Sequence, residues 1–279
     1  MMGTRISVIT PSYNYGRYID DTLNSVHYQD VHAWEHLVLD DGSSDDSVAR
    51  VRSHPGGASI AVQQNAGLAA TLNRLVEAAS GDWIGWLNAD DFYLADTLAT
   101  VTGLIERDPT LDVLIGDSVF VDRHARTLRL LPSHACTRGS ILHYGMSAKP
   151  CAFFVRASRL RSIGFNEETE FLMDKWLFAE LVQSGAKSMY VPVPLGAMRR
   201  HGEQVSTKLK GSSGDQERKA FRQAFDLPWK GVALSLSRWY GRGLHVALKL
   251  TSGGYWRELK WRSAAGGNLR WWPMLDLDS

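Results

Sequence analysis

The 279-residue sequence lacks several features that would each point to a definite class of protein. Its only two cysteines, Cys136 and Cys151, predict neither a disulfide framework nor a cysteine-rich metal site, and both are expected to be buried thiols. No apolar run reaches the roughly 20 residues that cross a bilayer. The first predicted strand begins at about Arg5, so we expect no signal peptide.

Two phosphate-binding motifs are also missing. There is no Gly-x-Gly-x-x-Gly after the first predicted strand and no Gly-x-x-x-x-Gly-Lys-Ser/Thr. The sequence therefore supports neither a dinucleotide-binding fold nor a P-loop. Hydrophobic residues make up 44% of the chain and charged residues 22%, which is typical of a globular protein.

The first third of the chain alternates strand and helix patterns. Short apolar runs at residues 5–10, 34–39, 59–63 and 83–87 read as strands, and amphipathic stretches between them read as helices. Pro11 is expected to end the first strand. Strands that alternate with helices predict a parallel sheet with helical crossovers, which is an α/β fold.

Polar loops follow each of these strands, and parallel strands bring such loops to one edge of the sheet. Two of the loops carry paired acids, Asp40 with Asp41 and Asp90 with Asp91. Two hard oxygen donors suit a divalent cation, and a cation suits a diphosphate. The alternative for a single loop is a polar turn whose acid caps the next helix.

Several segments resemble glycosyltransferase family 2, over about residues 5–205. They are Ile9–Asn14 (Ile-Thr-Pro-Ser-Tyr-Asn), Val38–Asp45 (Val-Leu-Asp-Asp-Gly-Ser-Ser-Asp) and Gly81–Asp91, which ends in Asn-Ala-Asp-Asp. The resemblance implies a GT-A fold, with a mostly parallel sheet flanked by helices. It also implies inverting transfer of a sugar from a nucleoside-diphosphate sugar to a hydroxyl, in polysaccharide or glycoconjugate assembly. Asn88 replaces the first acid of the usual Asp-x-Asp, so the sequence resembles the group with Asn-x-Asp-Asp.

The same resemblance implies roles for individual residues. The expected ligands of Mn²⁺ or Mg²⁺ are Asp90, Asp91 and His201. The expected donor-binding residues are Thr10, Pro11, Tyr13, Asp40, Asn65, Asn88, Ala89, Asp90, Arg199 and His201. Asp40 would contact the base, whereas Arg199 and His201 would face the diphosphate.

Asp174 is the expected catalytic base. The pair Met173-Asp174 opens a predicted helix, at the place where family members carry their base. Spacing alone leaves another reading open, because an acid in the first turn of a helix is stabilised by the helix macrodipole.

The chain changes character after residue 204. Residues 205–279 contain 13 Lys and Arg against 6 Asp and Glu, a balance of +7, and six of the 10 tryptophans. We therefore predict a catalytic domain over 1–204 and a basic, Trp-rich, mainly helical appendage over 205–279. The stretch from Gly202 to Gly214 predicts a mobile loop or lid.

The interleaved aromatic and basic residues at 229–272 have two readings. They predict either peripheral contact with an anionic membrane or a helical appendage whose Trp side chains pack on the core. We expect a cytoplasmic protein and a sugar or lipid-linked acceptor, and the first reading would place the protein at the inner face of the cell membrane. We expect no nucleic acid partner.

Two other classes compete with an inverting glycosyltransferase. A sugar nucleotidyltransferase would be expected to carry a Gly-rich loop with Arg and Pro after the first strand, and this sequence lacks such a loop. A non-catalytic partner that binds nucleotide sugars is suggested by Asn88. The presence of Asp90, Asp91, Asp174 and His201 together argues against it.

Overall fold

A computed structural model describes residues 3–145, 147–202, 212–228 and 230–264. In these residues nine strands form one sheet with the order β3-β2-β1-β4-β8-β6-β9-β5, and β7 pairs with β6 beside this path. The strands are β1 (Ile6–Ser12), β2 (Glu35–Asp40), β3 (Ser59–Val62), β4 (Trp83–Trp86), β5 (Phe92–Tyr93), β6 (Val113–Val121), β7 (Thr127–Leu131), β8 (Phe153–Arg156) and β9 (Ser188–Arg199).

Helices flank this sheet, and a short 3₁₀ turn at Pro150–Ala152 precedes β8. The described α-helices are α1 (Gly16–His27), α2 (Ser47–Ser53), α3 (Leu68–Ala78), α4 (Thr97–Arg107), α5 (Arg138–His143), α6 (Ala157–Ile163), α7 (Met173–Gln183), α8 (Ser212–Ala224), α9 (Gly231–Thr251) and α10 (Gly254–Ala264). The expected α/β fold of a mostly parallel sheet flanked by helices is confirmed.

The first four strands are parallel and connected by α1, α2 and α3, as the alternating pattern predicts. β1 and β4 are buried along their whole length, which explains their continuous apolar character. The prediction that Pro11 ends the first strand is wrong. β1 runs to Ser12, with Pro11 opposite Leu39 of β2, whereas its pairing with β4 stops at Ile9. A proline is tolerated there because one side of the strand is already free.

The other half of the sheet contains the antiparallel pairs. β8 lies antiparallel between β4 and β6, and β6 runs parallel to β9 with a shift of register between Ile115 and Asp117. The predicted hairpin of β6 with residues 127–131 is confirmed. The predicted strand at 150–156 is shorter, since its first three residues form the 3₁₀ turn.

The helices after residue 211 pack on this core. Phe221 and Phe225 of α8 belong to the same buried cluster as Leu177 of α7, and both rings lie 5.6 Å from the indole of Trp176. From α10, the guanidinium of Arg257 pairs with the fully buried carboxylate of Asp117 at 3.1 Å. The inner faces of these helices therefore form part of one folded unit with the sheet.

Two predictions for this region fall partly outside the described residues. The domain boundary at 204–205 lies in the segment 203–211, which the structure does not describe, and the division stays a prediction. The same holds for residues 203–211 of the predicted loop Gly202–Gly214, whereas α8 already begins at Ser212. Over the described ranges, no helix has both the length and the apolar character needed to cross a membrane.

Candidate active site

A cavity of about 1270 Å³ opens where β1, β2, β3 and β4 end, and it extends towards the start of α7. One side, here called the strand-end wall, consists of the loops that follow these strands. It includes Pro11, Tyr13, Asp41, Asp45, Asn65, Asn88, Asp90 and Asp91. Asp174 lines the same cavity from α7. Residues that the sequence places far apart are thus brought to one site.

Five predicted site residues do not line this cavity: Thr10, Asp40, Ala89, Arg199 and His201. Thr10 is fully buried, and its hydroxyl lies 2.9 Å from Nε2 of His36. Ala89 is also fully buried. These two residues support the loops from behind.

The acids after β2 have separate tasks. Both carboxylate oxygens of the buried Asp40 accept hydrogen bonds from Ser43, at 2.7 Å from its N–H and 2.6 Å from its hydroxyl. Asp41 accepts the N–H groups of Ala66 and Gly67 at 2.8 and 2.9 Å and reaches the cavity. That Asp40 contacts the donor base stays a prediction, and its side chain is buried and does not line the cavity. Asp40 fixes the turn, and Asp41 is the acid of this pair at the cavity surface.

Asn88 organises the turn that carries Asp90 and Asp91. Its amide oxygen accepts the indole N–H of Trp86 at 2.7 Å, and its amide nitrogen donates to Oδ2 of Asp91 at 3.3 Å. A carboxylate at position 88 could accept the first bond but could not donate the second. Burial and the neighbouring Asp90 raise the pKa of Asp91 well above its usual range. An amide at position 88 therefore avoids a third carboxylate beside Asp90 and Asp91.

Arg199 is a buried structural residue, with 1% of its surface exposed. Its guanidinium donates to Asp21 at 2.5 Å, to the carbonyl of Asp90 at 2.9 Å and to the carbonyl of Arg123 at 3.1 Å. The prediction that it faces the diphosphate is not supported by this geometry, since these three groups already hold it. Its position ties the end of β9 to the Asp90 turn and to α1.

His201 lies against Asp90. Nε2 of His201 is 2.9 Å from Oδ2 of Asp90, and both side chains are almost completely buried. Asp91 has a different partner, because its Oδ1 accepts the backbone N–H of Arg199 at 2.9 Å. In the part of the chain that the structure describes, no three His, Cys, Asp or Glu side chains are arranged to hold a metal. The predicted three-ligand site is therefore not formed.

Two of the three predicted ligands still suit a divalent cation. Asp90 on the strand-end wall offers a carboxylate, the buried His201 beside it offers an imidazole nitrogen, and Mn²⁺ accepts both kinds of donor. Burial is the main cause of the raised pKa of Asp91, and repulsion from Asp90 adds to it. A cation at Asp90 and His201 would reduce that repulsion.

Asp174 stands in the first turn of α7 and is half-buried. Its Oδ1 accepts the N–H of Lys175 at 2.7 Å. Burial raises the pKa of this carboxyl group, and the positive charge of Lys149 opposes that shift. A carboxylate with a raised pKa is a stronger proton acceptor, so the environment suits a general base.

The side of the cavity around Asp174 carries six cationic side chains that sequence reasoning missed. This basic cluster consists of Lys149, Lys175, Arg218, Arg222, Arg238 and Arg242. One signal was available, because Arg218 with Arg222 and Arg238 with Arg242 are spaced four residues apart and therefore share a helix face. The sequence does not reveal that both faces meet at one cavity.

Comparisons with curated proteins find relatives that are named as glycosyltransferases. The chain is 34% identical over 97 residues to the putative teichuronic acid biosynthesis glycosyltransferase TuaG of Bacillus subtilis, covering 33% of this chain and 38% of that protein. It is 24% identical over 212 residues to chondroitin synthase of Escherichia coli, covering 73% of this chain and 30% of that protein. The matched part thus spans well under half of the length of these two relatives.

Solved structures share the fold at low sequence identity. The S. aureus TarS fragment 1–349 in complex with UDP-GlcNAc has a TM-score of 0.63 at 19% identity, over 79% of this chain and 65% of that chain. The mannosyltransferase PcManGT from Pyrobaculum calidifontis, in complex with GDP-Man and Mn²⁺, has a TM-score of 0.59 at 19% identity, over 97% of this chain and 78% of that chain.

The sequence profile of one family covers the part of the chain that builds most of the cavity. The profile "Glycosyl transferase family 2" matches residues 7–170, which is more than half of the chain and includes the whole strand-end wall. The chain therefore belongs to glycosyl transferase family 2.

Proposed function

We propose that this protein transfers a sugar from a nucleoside-diphosphate sugar to an acceptor hydroxyl, with inversion at the anomeric carbon. The observation that carries the proposal is the position of Asp174, a carboxylate with a raised pKa in the same cavity as the strand-end wall. A base and a polar nucleotide-sized pocket are the two requirements of such a transfer.

The strand-end wall is the proposed donor site. The exposed ring of Tyr13 offers a surface for stacking the base, and Asp41 and Asn65 offer polar contacts beside it. Asp90 and His201 would hold Mn²⁺ or Mg²⁺. Such an ion, when bound, stabilises negative charge on a departing diphosphate. The relatives support this choice, since two of the similar structures contain UDP-GlcNAc, or GDP-Man with Mn²⁺.

Asp174 is the proposed general base. The acceptor oxygen forms a bond to the anomeric carbon as the bond from that carbon to the diphosphate oxygen breaks. The proton of the hydroxyl passes to Asp174, and the electron pair of the broken bond leaves with the nucleoside diphosphate. Because the attack comes from the face opposite the leaving group, the configuration inverts. General-base assistance of this kind contributes roughly 10²–10⁴-fold to a rate.

The names of the relatives support a role in polysaccharide or glycoconjugate assembly. One relative is named for teichuronic acid biosynthesis and another is a chondroitin synthase. The Asn-x-Asp-Asp variant fits catalysis, because Asn88 has a definite part in holding Asp91. We therefore favour an enzyme over a non-catalytic protein that only binds a nucleotide sugar.

The outer face of α9 supports the proposed membrane contact. Val232, Leu236, Trp239, Val246 and Leu250 recur at spacings of three, four or seven residues, and all of them are exposed. Trp239 alone exposes 72% of its surface. Trp256 and Leu259 of α10 add two further exposed apolar side chains. Aromatic and aliphatic groups of this kind enter the headgroup region of a bilayer. We propose that the protein works on the cytoplasmic face of a membrane.

A donor screen tests the transfer. Thermal unfolding of the full chain is followed with UDP-, GDP- and dTDP-sugars, each with Mn²⁺ and with chelator. A donor at 100 times its Kd adds about 2.7 kcal/mol of stability. The same samples are then assayed for release of the nucleoside diphosphate. A donor that binds without any turnover, with acceptors present, would favour the non-catalytic alternative. Absence of any shift would refute the donor site.

Two neighbouring variants test the metal. Asp90→Asn is expected to lose the part of the shift that depends on Mn²⁺, because it removes a proposed ligand. Asp91→Asn keeps an oxygen for the N–H of Arg199, so its Mn²⁺ response should survive. Equal losses of the Mn²⁺-dependent shift in both variants would support the prediction from the sequence that Asp90 and Asp91 are both metal ligands. Unchanged responses in both would exclude a metal at this turn.

A further inference from the structure

The basic cluster is built where three helices meet beside the proposed base. Lys175 follows Asp174 in α7, and its ammonium lies 4.2 Å from the ring centre of Phe221 in α8. The next residue of α8, Arg222, donates to the hydroxyl of Ser237 in α9 at 2.6 Å. Arg238 and Arg242 follow on α9 and complete the wall of the cavity. The cations therefore surround Asp174 from several directions.

These charges are poorly neutralised by the protein. Among the described residues, the cluster forms one ion pair, between Arg218 and the exposed Asp215, and exposed pairs contribute little. Burial, together with the charge of Arg222, lowers the pKa of Lys175 to about 8. Burial and Arg238 likewise lower the pKa of Arg222. Cations that depress one another in this way gain free energy when an anion binds.

Few acids share this part of the cavity. Glu170 and Asp174 are the carboxylates that line it, whereas the other acids of the cavity lie on the strand-end wall. Glu217 of α8 is engaged elsewhere, because its oxygens accept the N–H groups of Phe171 and Leu172. The cluster therefore has more positive charge than one carboxylate ligand would offset.

The location of the cluster identifies the substrate that it faces, provided that the proposed function holds. In an inverting transfer, the base and the leaving diphosphate lie on opposite sides of the anomeric carbon. Groups that surround Asp174 are therefore on the acceptor side. Donor phosphates would instead lie by Asp90, on the strand-end wall.

We propose that the basic cluster binds a phosphate or diphosphate group of the acceptor. Arginine suits this task because its planar guanidinium donates two parallel hydrogen bonds to phosphate oxygens. Such a group carries enough negative charge to match several cations, whereas a neutral sugar would leave them unpaired. The phosphate thereby positions the neighbouring sugar hydroxyl against Asp174.

Two sources could supply this chemistry. A lipid-linked sugar carries its diphosphate next to the membrane, and α9 bears both Arg238 and the exposed apolar side chains on one helix. A soluble sugar phosphate or a phosphate-containing polymer would present the same group without a lipid. The experiment below separates the two.

The test measures binding of three probes to the full chain by titration calorimetry in chelator, with the nucleoside diphosphate of the donor screen at saturation. The probes are inorganic pyrophosphate, geranyl diphosphate and glucuronate. The key variant is Arg238→Gln/Arg242→Gln. Its control is Arg52→Gln/Arg107→Gln, which removes two exposed arginines that lie outside the cavity. The two variants have the same net charge.

The key variant is expected to bind pyrophosphate and geranyl diphosphate at least about tenfold more weakly than the unchanged protein, because each charged hydrogen bond contributes substantially to binding. The control should bind both as the unchanged protein does. Tighter binding of geranyl diphosphate than of pyrophosphate would identify a lipid-linked acceptor, and equal binding a soluble one. Arg238→Lys/Arg242→Lys should recover part of the affinity, since it keeps the charge.

Three results would overturn the proposal. Equal affinities in the key variant and the control would show that the cluster binds no phosphate. An equal loss of nucleoside diphosphate binding would show that it faces the donor. Glucuronate that binds as tightly as pyrophosphate, with the same dependence on the arginines, would indicate a carboxylate acceptor. Failure of the donor screen alone would refute the transfer, while the pyrophosphate titration still tests the cluster.

Discussion

The strand-end wall of the cavity is acidic and comes from residues 11–91, whereas the basic cluster around Asp174 comes from segments spread over residues 149–242. Acids on the first side are held by nearby loops, as Asp41 is by Ala66 and Gly67. Cations on the second side are held by packing between helices, as Lys175 is by Phe221. A site can thus combine one half that is local in sequence with another that exists only after the chain has folded.

The largest expected effect comes from removing the proposed base, Asp174, which lies on the basic side of the cavity. Asp174→Asn keeps the shape of the side chain but cannot accept a proton, so turnover should fall roughly 10²–10⁴-fold. The thermal shift by the donor should remain, because donor contacts lie on the strand-end wall. Steady-state rates and donor shifts are measured together, with the exposed Glu168→Gln from the preceding loop as control. Loss of donor binding would place Asp174 on the donor side.

The pH dependence follows from the same group. Only the deprotonated carboxylate can act as the base, and burial raises its pKa above the ordinary value of 3.8. Activity should therefore rise with pH through the raised pKa of Asp174, and this acidic limb should vanish in Asp174→Asn. A limb that persists in the variant would assign the titration to another group.

The next effect tests whether the basic cluster depends on the C-terminal helices. Phe221 is fully buried against Trp176 and Phe225, so Phe221→Ala should lower the free energy of unfolding by about 3–5 kcal/mol. Urea unfolding of the full chain measures this loss. Trp239→Ala, which truncates an exposed ring on α9, should change it by less than about 0.5 kcal/mol. Similar values for both variants would mean that α8 is a loosely attached appendage.

The smallest effect concerns the outer face of α9, which lies beside the basic cluster and not beside the strand-end wall. Leu236→Ser/Trp239→Ser should weaken binding to vesicles of anionic lipid about tenfold, since two partly inserted apolar side chains are lost. Stability should hardly change, because both residues are exposed. Sedimentation with anionic and neutral vesicles provides the measurement. If the unchanged protein stays in the supernatant with both lipids at low salt, this face does not bind a membrane.

Much of the fold could be predicted because its signals are local. Apolar runs of four to six residues between amphipathic helices are sufficient to predict β1 to β4 and their parallel order. Polar residues at the ends of these strands also predicted most of the strand-end wall, because parallel strands leave little choice about where such loops lie. Pro11 was misjudged, since its tolerance depends on which neighbour β1 has at that position.

The sequence by itself determined the first four strands, the family and the presence of carboxylates at the edge of the sheet, because those depend on periodicity and on neighbours along the chain. Tertiary structure alone decided that Asp41 and not Asp40 reaches the cavity, that Arg199 is buried, and that Asp91 accepts the backbone N–H of Arg199. It also decided that arginines of α8 and α9 meet Asp174. These outcomes depend on hydrogen bonds and packing between residues up to about 180 positions apart, such as Asp21 with Arg199, and no local pattern encodes such contacts.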